Sequence, residues 1–274
     1  MVLIYTKMKK ILYLFGVLVF ALSSCSGDEE NSENPVLPEN NYILPKKIVV
    51  TEGAEKFESV YVYNGNKIVS IKYNTGEKSV YTYTGDFITK TENFKADGKI
   101  NSQVEYTYDG GKLVSELSAQ IGGDRLGKYR TVYFHSSSTS VTCTEYVSFP
   151  DVNGGAETRE GELERVMTFS GGNLVKRFSP GGMINGVHQV DEVNYEYDTK
   201  NSPFKNILGY NLLIGYTSLV NNITKLAVKN NPDSIIKEYV SNYAYEYNDK
   251  GYPTKRVETY SLNANIKFLT EYTY

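Results

Sequence analysis

Polar and apolar residues alternate along most of the chain, and turns containing glycine, asparagine or aspartate interrupt the alternation at short intervals. One unit recurs in this pattern: Tyr-x-Tyr, a turn, an apolar pair and then further alternation. Period-two alternation broken by Asx-Gly turns is the strongest short-range signature of a β-hairpin. Each unit therefore predicts two strands. Copies begin at Tyr61, Tyr81, Tyr106, Met167, Tyr195 and Tyr245, and Tyr272-Thr273-Tyr274 forms a last half-unit.

The spacing of the units predicts how neighbouring strands pair. The first tyrosines at 61, 81 and 106 are 20 and 25 residues apart, which is too short for the crossover that connects parallel strands. The sequence predicts an all-β domain over residues 45–274, a long antiparallel meander of β-hairpin repeats that forms a curved sheet or a partly closed barrel. We expect strands of about five to eight residues, shorter than the roughly 9 to 11 of a tilted membrane strand. The sheet should therefore stand in water, with tyrosine and aliphatic residues packed on its concave side.

One interval is longer than the usual repeat spacing, because the units that start at 195 and 245 are 50 residues apart. Apolar residues at 208, 212, 216, 219 and 220 approximate helical spacing, although Gly209 and Gly215 weaken that pattern. The spacing predicts a short helical or irregular insertion near 201–222 that plugs or caps the open end of the sheet. The alternative is an apolar loop that binds a partner.

The N-terminus has the three parts of a secretory signal. Lys7, Lys9 and Lys10 precede the uncharged apolar run 11–22, which is shorter than the roughly twenty residues of a membrane-spanning helix. A positive segment, a short apolar segment and a small-residue end together indicate a signal peptide. We assign it to residues 1–24, whether the chain starts at Met1 or at Met8.

The end of this segment, Leu22-Ser23-Ser24-Cys25, resembles the lipobox of bacterial lipoproteins, in which a peptidase cuts before a cysteine that carries acyl chains. The resemblance implies lipidation of Cys25 and attachment to a membrane without spanning it. The alternative is a buried thiol in a hydrophobic segment. Residues 25–44 are polar, acidic and without periodicity, which indicates a flexible tether. Its acidic cluster also resembles the surface-export signal of Bacteroidetes lipoproteins. The alternative interpretation, a solvated linker with incidental charge, explains the cluster equally well.

Charge and candidate chemistry narrow the function. Removing residues 1–24 deletes three lysines and no acidic residue, which leaves 26 basic and 32 acidic side chains. An acidic domain is a poor partner for nucleic acid, and we expect none.

We predict no catalytic site, no metal site and no cofactor. His135 and His188 are the only histidines, and neither has ligands at zinc spacing. The stretch 151–162 departs from a calcium loop at its sixth position, where Ala156 replaces the required glycine. Cys143 has no recognisable base beside it in the sequence. Asp233-Ser234-Ile235 resembles the O-glycosylation acceptor of Bacteroidetes, with Ser234 as the modified residue.

Tyrosine is unusually abundant, with 25 Tyr and 11 Phe but no Trp. Tyrosine rings could form a platform that stacks on a sugar. The competing interpretation is architectural, since tyrosines two residues apart share one face of a strand and pack across neighbouring strands. The regular Tyr-x-Tyr spacing and the absence of Trp favour the architectural interpretation.

The units at 106–113 and 245–253 resemble the Tyr-Asp repeats of Rhs-like proteins. Together with the lipobox and the 201–222 insertion, the chain from about residue 45 onward resembles the DUF4595 family of Bacteroides-type lipoproteins, which is described as having a porin-like β fold. The resemblance implies a fold and a location, since the family has no assigned activity.

The function that we predict is a non-enzymatic, lipid-anchored protein of the outer membrane that binds a glycan or a surface protein. We expect it to face the exterior, and the periplasmic face is the alternative. The alternative is a structural or scaffold lipoprotein without a small-molecule ligand, and an enzyme is the third hypothesis.

Overall fold

The hairpin repeats close on themselves to form a β-barrel. The computed structural model describes residues 42–121, 128–149, 158–184, 187–214, 219–230, 237–261 and 267–274. Sixteen strands and one three-residue 3₁₀ helix, Tyr210–Leu212, are assigned within these ranges. The strands are β1 (Lys47–Glu52), β2 (Glu55–Asn64), β3 (Lys67–Tyr73), β4 (Lys78–Thr84), β5 (Phe87–Phe94), β6 (Ile100–Asp109), β7 (Lys112–Gln120), β8 (Lys128–His135), β9 (Ser140–Phe149), β10 (Thr158–Ser170), β11 (Asn173–Ile184), β12 (Val187–Tyr197), β13 (Ile223–Asn230), β14 (Lys237–Tyr247), β15 (Pro253–Tyr260) and β16 (Lys267–Thr273).

Every strand pairs antiparallel with its neighbours in the chain, and β1 pairs with β16 to close the barrel. The predicted antiparallel meander is confirmed, and its closure is complete rather than partial. The predicted strand lengths hold for eight strands of 6 to 8 residues and were too short for the other eight, which have 9 to 13 residues. The first residues of β10, Thr158-Arg159-Glu160, carry no apolar alternation, yet their backbone pairs with β9. Backbone hydrogen bonding thus extends a strand beyond the hydrophobic pattern that marks its centre.

Most repeats fold into a tight turn followed by a β-bulge. Gly110 and Gly111 of the β6–β7 turn have φ angles of 54° and 78°, a left-handed conformation that glycine adopts without steric cost. Beyond the turn, Tyr108 pairs with Leu113 but Thr107 pairs with Ser115, so Val114 is the extra residue of a bulge. The same shift follows four other turns at this end of the barrel, where the extra residues are Val69, Thr89, Val175 and Thr254. It also occurs at Thr224, where the long connection between β12 and β13 enters β13.

Both tyrosines of a Tyr-x-Tyr unit point into the barrel, and the residue between them points outward. In β12, Tyr195 is 8% exposed while Glu196 is exposed and forms an ion pair with Lys225 of β13. The architectural interpretation of the tyrosines is therefore confirmed. Further ion pairs between neighbouring strands lie on the outer face, at Lys47–Glu58, Lys176–Glu192 and Lys255–Glu246.

In four of the units, the hydroxyl of the second tyrosine donates to the backbone at or beside the start of the preceding strand. The hydroxyl of Tyr108 donates to the carbonyl oxygen of Ile88 at 2.8 Å. His135 occupies the same place in β8, and its Nε2 lies 2.8 Å from the carbonyl oxygen of Leu113. The role of His135 is thus structural. The hydroxyls of three further tyrosines make equivalent bonds, from Tyr63 to Pro45, from Tyr197 to Leu174 and from Tyr274 to Pro253.

The described residues of the connection between β12 and β13, 201–214 and 219–222, close one end of the barrel, and we call this segment the plug. Leu213 is 0% and Ile207 is 2% exposed, both within the core that the barrel wall completes. The amide of Leu208 donates to the carbonyl oxygen of Asn66, and the Tyr83 hydroxyl donates to the carbonyl oxygen of Leu208. The predicted capping role is confirmed. The helical spacing produces only the three-residue 3₁₀ helix, because the segment follows the turns it covers.

Hydrogen bonds between Asn222 and Asp198 fix the position of the two ends of the plug. Asn222 is 1% exposed, and its backbone and side-chain amides donate to the carboxylate of Asp198. The Asn222 side chain also donates to the carbonyl oxygen of Asn201, at 3.1 Å. Tyr247 donates its hydroxyl to the same Asp198 carboxylate. Because buried polar groups are costly unless paired, this network fixes where the plug leaves and re-enters the wall.

Close contact between the plug and the wall yields a first prediction. Gly209 has a φ of 74°, and a Cβ at this position would lie 2.7 Å from the backbone oxygen of Asp86. We expect Gly209→Ala to lower the free energy of unfolding by about 2–4 kcal/mol, from a strained backbone and a clash that displaces the plug. Denaturant titration measures the loss.

The matched control is Gly85→Ala, where φ is 58° and nothing lies within 4 Å of an added Cβ. This variant should lose only the conformational part, about 1–2 kcal/mol. Equal losses in the two variants would contradict the close packing of the plug against the wall.

Candidate functional site

The lumen below the plug contains a cavity of about 590 Å³. Its size lies within the range of roughly 300–1,000 Å³ that small-molecule sites occupy. The inward residues of β7 to β13 build it, and both aromatic and charged groups contribute. The lining residues are Glu116, Thr131, Tyr133, Cys143, Glu145, Arg165, Met167, Leu174, Arg177, Val193, Tyr195, Leu226 and Val228.

Two charged groups of the cavity form an ion pair. Arg165 of β10 donates from Nη1 to Glu145 of β9 at 3.2 Å, and both side chains are about a quarter exposed. Since an ion pair between neighbouring strands neutralises both groups, this part of the wall offers hydrogen bonds without net charge.

Glu116 of β7 lies in the same cavity. Burial raises the pKa of its carboxyl group, while a hydrogen bond from Tyr133 opposes the rise. Tyr133 is 7% exposed, and burial raises the pKa of its hydroxyl well above the ordinary value. Glu116 and Tyr133 therefore present a polar pair at neutral pH, with the phenol as donor.

Cys143 is a buried free thiol that also lines the cavity. Burial raises the pKa of this thiol, and the nearby Arg165 only partly opposes the rise. A nucleophilic cysteine needs a lowered pKa or an adjacent base, and His135 is engaged with the Leu113 carbonyl oxygen. The thiol stays protonated and contributes apolar surface.

Arg177 of β11 is the remaining cation of the cavity. It lies opposite Met167 and Val193 in the sheet register. No ion pair or hydrogen bond of its guanidinium group is found within the described residues. By contrast, Arg256 on β15 lies 3.6 Å from Glu258 and over the ring of Tyr243.

The two ends of the barrel differ. At the plug end, the chain enters through Ile43 and Pro45, whose carbonyl oxygens accept bonds from Asn206 and Tyr63. Toward the other end, the inward residues Phe57 and Tyr129 are 50% and 41% exposed. Among the described residues, the plug covers the end of the barrel opposite to them.

A second, smaller depression of about 240 Å³ lies at the plug end, among the β6–β7, β8–β9 and β10–β11 turns. Leu212, Ile214 and Leu219 of the plug contribute apolar surface to it. Residues 215–218, which belong to the same segment, lie outside the described ranges. We therefore place the candidate site in the lumen, where the charged and aromatic groups converge.

Several predicted residues lie outside the described residues. They are Cys25, Ser234 and most of the 25–44 tether, so lipidation and O-glycosylation stay predictions. The backbone of His188 belongs to β12. Among the described residues, no group of three or more His, Cys, Asp or Glu could hold a metal ion. Within the same part of the chain, no helix has the length and apolar character needed to cross a membrane.

The comparisons with known proteins give a likeness of fold. No protein family model matches the chain, and no curated protein matches it. Among solved structures, the chain is similar to a porin-like protein from Bacteroides uniformis, with 14% identity and a TM-score of 0.45. The alignment covers 84% of this chain and 96% of that chain. The resemblance to the DUF4595 family stays a prediction, and the barrel assignment depends on the strand pairing of the chain itself.

Proposed function

We propose that this chain is a lipid-anchored outer-membrane protein that faces the exterior and binds a glycan in the lumen of its barrel, without catalysing a reaction. The observation that carries the proposal is the 590 Å³ lumen cavity, in which Tyr133 and Tyr195 lie beside Glu116, Glu145 and Arg165. Aromatic rings stack on the apolar faces of sugars. Carboxylates and guanidinium groups form strong hydrogen bonds to polar ligand groups. The combination suits a small, hydroxyl-rich ligand.

The closed end supports a binding role rather than passage. The plug blocks one end of the lumen, and its core residues Ile207 and Leu213 are almost fully buried. A ligand that enters past Phe57 and Tyr129 meets the cavity and then the plug. A site with one entrance retains a ligand, whereas a channel must release it at the far side.

The charged residues of the outer face favour a barrel that is surrounded by water rather than by lipid. Ion pairs such as Lys176–Glu192 at 2.7 Å and Lys225–Glu196 at 3.0 Å occupy outward positions along the wall. A membrane-spanning barrel needs an apolar outer band, and a lysine at the bilayer midplane costs about 2–4 kcal/mol. A lipid at Cys25 would supply the membrane attachment instead. The described chain enters the barrel at its plug end, through Ile43 and Pro45.

Labelling tests the anchor. Cells grown with labelled palmitate should incorporate label into the protein, and Cys25→Ala should remove it. The matched control is Cys143→Ala, because Cys143 is the second cysteine of the chain and lies buried in the barrel. Label retained in Cys25→Ala would overturn the anchor, and protection from protease added to intact cells would overturn the outward orientation.

A glycan array with the form that starts at Ser26 tests the binding function. Thr131 lines the cavity, and Thr131→Phe should fill it and weaken binding at least about tenfold. Thr144→Phe is the control, because Thr144 lies on the outer face beside Val132. An array without any bound glycan, or equal binding by both variants, would contradict the lumen site.

The alternative function, a scaffold without a small ligand, would use exposed apolar residues of the outer face. Phe134 is 69% exposed and the neighbouring Val132 is 40% exposed, both on β8. Capture of a protein partner that Phe134→Ser abolishes, together with a silent glycan array, would favour the scaffold.

A further inference from the structure

Arg177 distinguishes the kinds of ligand that the cavity can hold. Its strand partners are apolar, with Met167 opposite on β10 and Val193 opposite on β12. Leu174 and Val228 line the same part of the cavity. A guanidinium group among apolar side chains loses hydration and needs a counter-charge to compensate.

The other inward arginines have ion-pair partners, and Arg177 has none among the described residues. Arg165 pairs with Glu145, and Arg256 pairs with Glu258. Two inward carboxylates also have no cation at ion-pair distance among the described residues. They are Glu116, which accepts a hydrogen bond from Tyr133, and Asp191, which lies two residues before Val193 on β12. The cavity therefore presents Arg177 as a guanidinium group whose donors are not taken by a carboxylate of the wall.

We propose that Arg177 binds the carboxylate of an acidic sugar, so that the lumen selects a uronic-acid glycan over its neutral counterpart. The inference rests on the proposed glycan-binding function and specifies its ligand. Arginine presents a planar fork of donors that matches the two oxygens of a carboxylate. Tyr195 of β12 lines the same cavity as Arg177 of the neighbouring β11, and its aromatic ring is a surface on which a sugar can stack. The Arg165–Glu145 pair and Tyr133 supply partners for the remaining hydroxyls.

If Arg177 serves to bind a ligand, its unpaired charge should lower the stability of the ligand-free protein. Replacing it with an apolar residue of similar length removes an uncompensated charge. We therefore expect Arg177→Met to raise the melting temperature of the ligand-free protein. Arg165→Met should lower it, because Glu145 would be left without its partner. If Arg177 had a purely structural role, both variants would lower the melting temperature.

Binding of matched glycans to the full lipoprotein in detergent tests the proposal. The probes are an oligosaccharide of glucuronic acid, the neutral glucose oligosaccharide of the same linkage and length, and its sulfated form. We expect the glucuronic acid oligosaccharide to bind best. Arg177→Gln should weaken that binding roughly 10- to 100-fold, which corresponds to the loss of one charged hydrogen-bonded contact. Arg130→Gln, at an exposed outward position of β8, should leave it unchanged.

Each result has a separate meaning. Equal binding of the acidic and neutral probes, unaffected by Arg177→Gln, would overturn the carboxylate site and leave the glycan-binding function intact. Stronger binding of the sulfated probe would also overturn the carboxylate assignment. Failure of these and all other glycans to bind the wild-type protein would overturn the proposed function itself. Arg177→Lys keeps the charge, and its partial recovery of binding would show that the loss in Arg177→Gln is electrostatic rather than a failure to fold.

Discussion

Raising the pH above 10 is expected to unfold the barrel in a single cooperative step. Burial raises the pKa of twelve tyrosine hydroxyls. The pKa rises to about 12 for Tyr83 and Tyr260. The other ten are Tyr61, Tyr63, Tyr108, Tyr133, Tyr195, Tyr243, Tyr245, Tyr247, Tyr272 and Tyr274. The folded state therefore keeps protons that the unfolded chain releases near pH 10.

The direction of the effect follows from this difference. Below pH 10 both states are protonated, and the tyrosines contribute their full stability. Above pH 10 the unfolded chain binds fewer protons than the folded one, so the free energy of unfolding falls as the pH rises. Small losses at many tyrosines add up, and total stabilities are only about 5–15 kcal/mol. We expect unfolding before pH 12, the pKa of Tyr83.

Tyrosinate absorbance and circular dichroism, recorded together during an alkaline titration, measure this transition. Both signals should change at the same pH, above 10. The control is the same protein in guanidinium chloride, whose tyrosines should ionise gradually near pH 10. Gradual ionisation near pH 10 in the native protein, with unchanged circular dichroism, would show that the tyrosines are not buried as described.

Leu213→Ala is expected to lower the free energy of unfolding by about 2–5 kcal/mol, the range for buried leucines. Leu213 is 0% exposed and lies at the centre of the plug, directly after the 3₁₀ helix. The lost side chain leaves a cavity between the plug and the wall, because the strands around it are fixed by their hydrogen bonds and cannot collapse inward.

Chemical denaturation measures this loss, and Val132→Ala serves as the control. Val132 lies on the outer face and is 40% exposed, so its truncation should change stability by less than about 0.5 kcal/mol. A loss below 1 kcal/mol in Leu213→Ala would mean that the plug contributes little to the barrel, contrary to its predicted capping role.

The hairpins and their inward tyrosines could be predicted from the sequence because alternation and turn residues act locally. Barrel closure could not, since it depends on pairing between β1 and β16, which no local pattern encodes. Beyond the bulge at Val69, Ile71 rather than Ser70 lies opposite the inward Tyr61. Alternation alone does not reveal where a bulge falls.

The bulges also explain why the candidate site escaped sequence analysis. Uninterrupted alternation from the buried Leu174 would point Lys176 inward and Arg177 outward. The bulge at Val175 shifts the alternation by one residue, which reverses the two. The same shift places Glu116 inside the barrel. With the bulge recognised, the charged residues at inward positions are the signal that would identify the lumen as a binding site.

Pairing of β1 with β16 has a consequence for how the chain folds. Lys47 faces Thr273 across this seam, so the contact joins segments from almost opposite ends of the barrel sequence. Proteins dominated by such distant contacts have a high contact order and fold slowly, because the entropy of the long loop is lost before the contact forms. The outer edge of β1 stays unpaired until β16 has been added to the barrel. Its free edge is meanwhile a template for wrong strand pairing, which makes the seam the point at which a chaperone would be most useful.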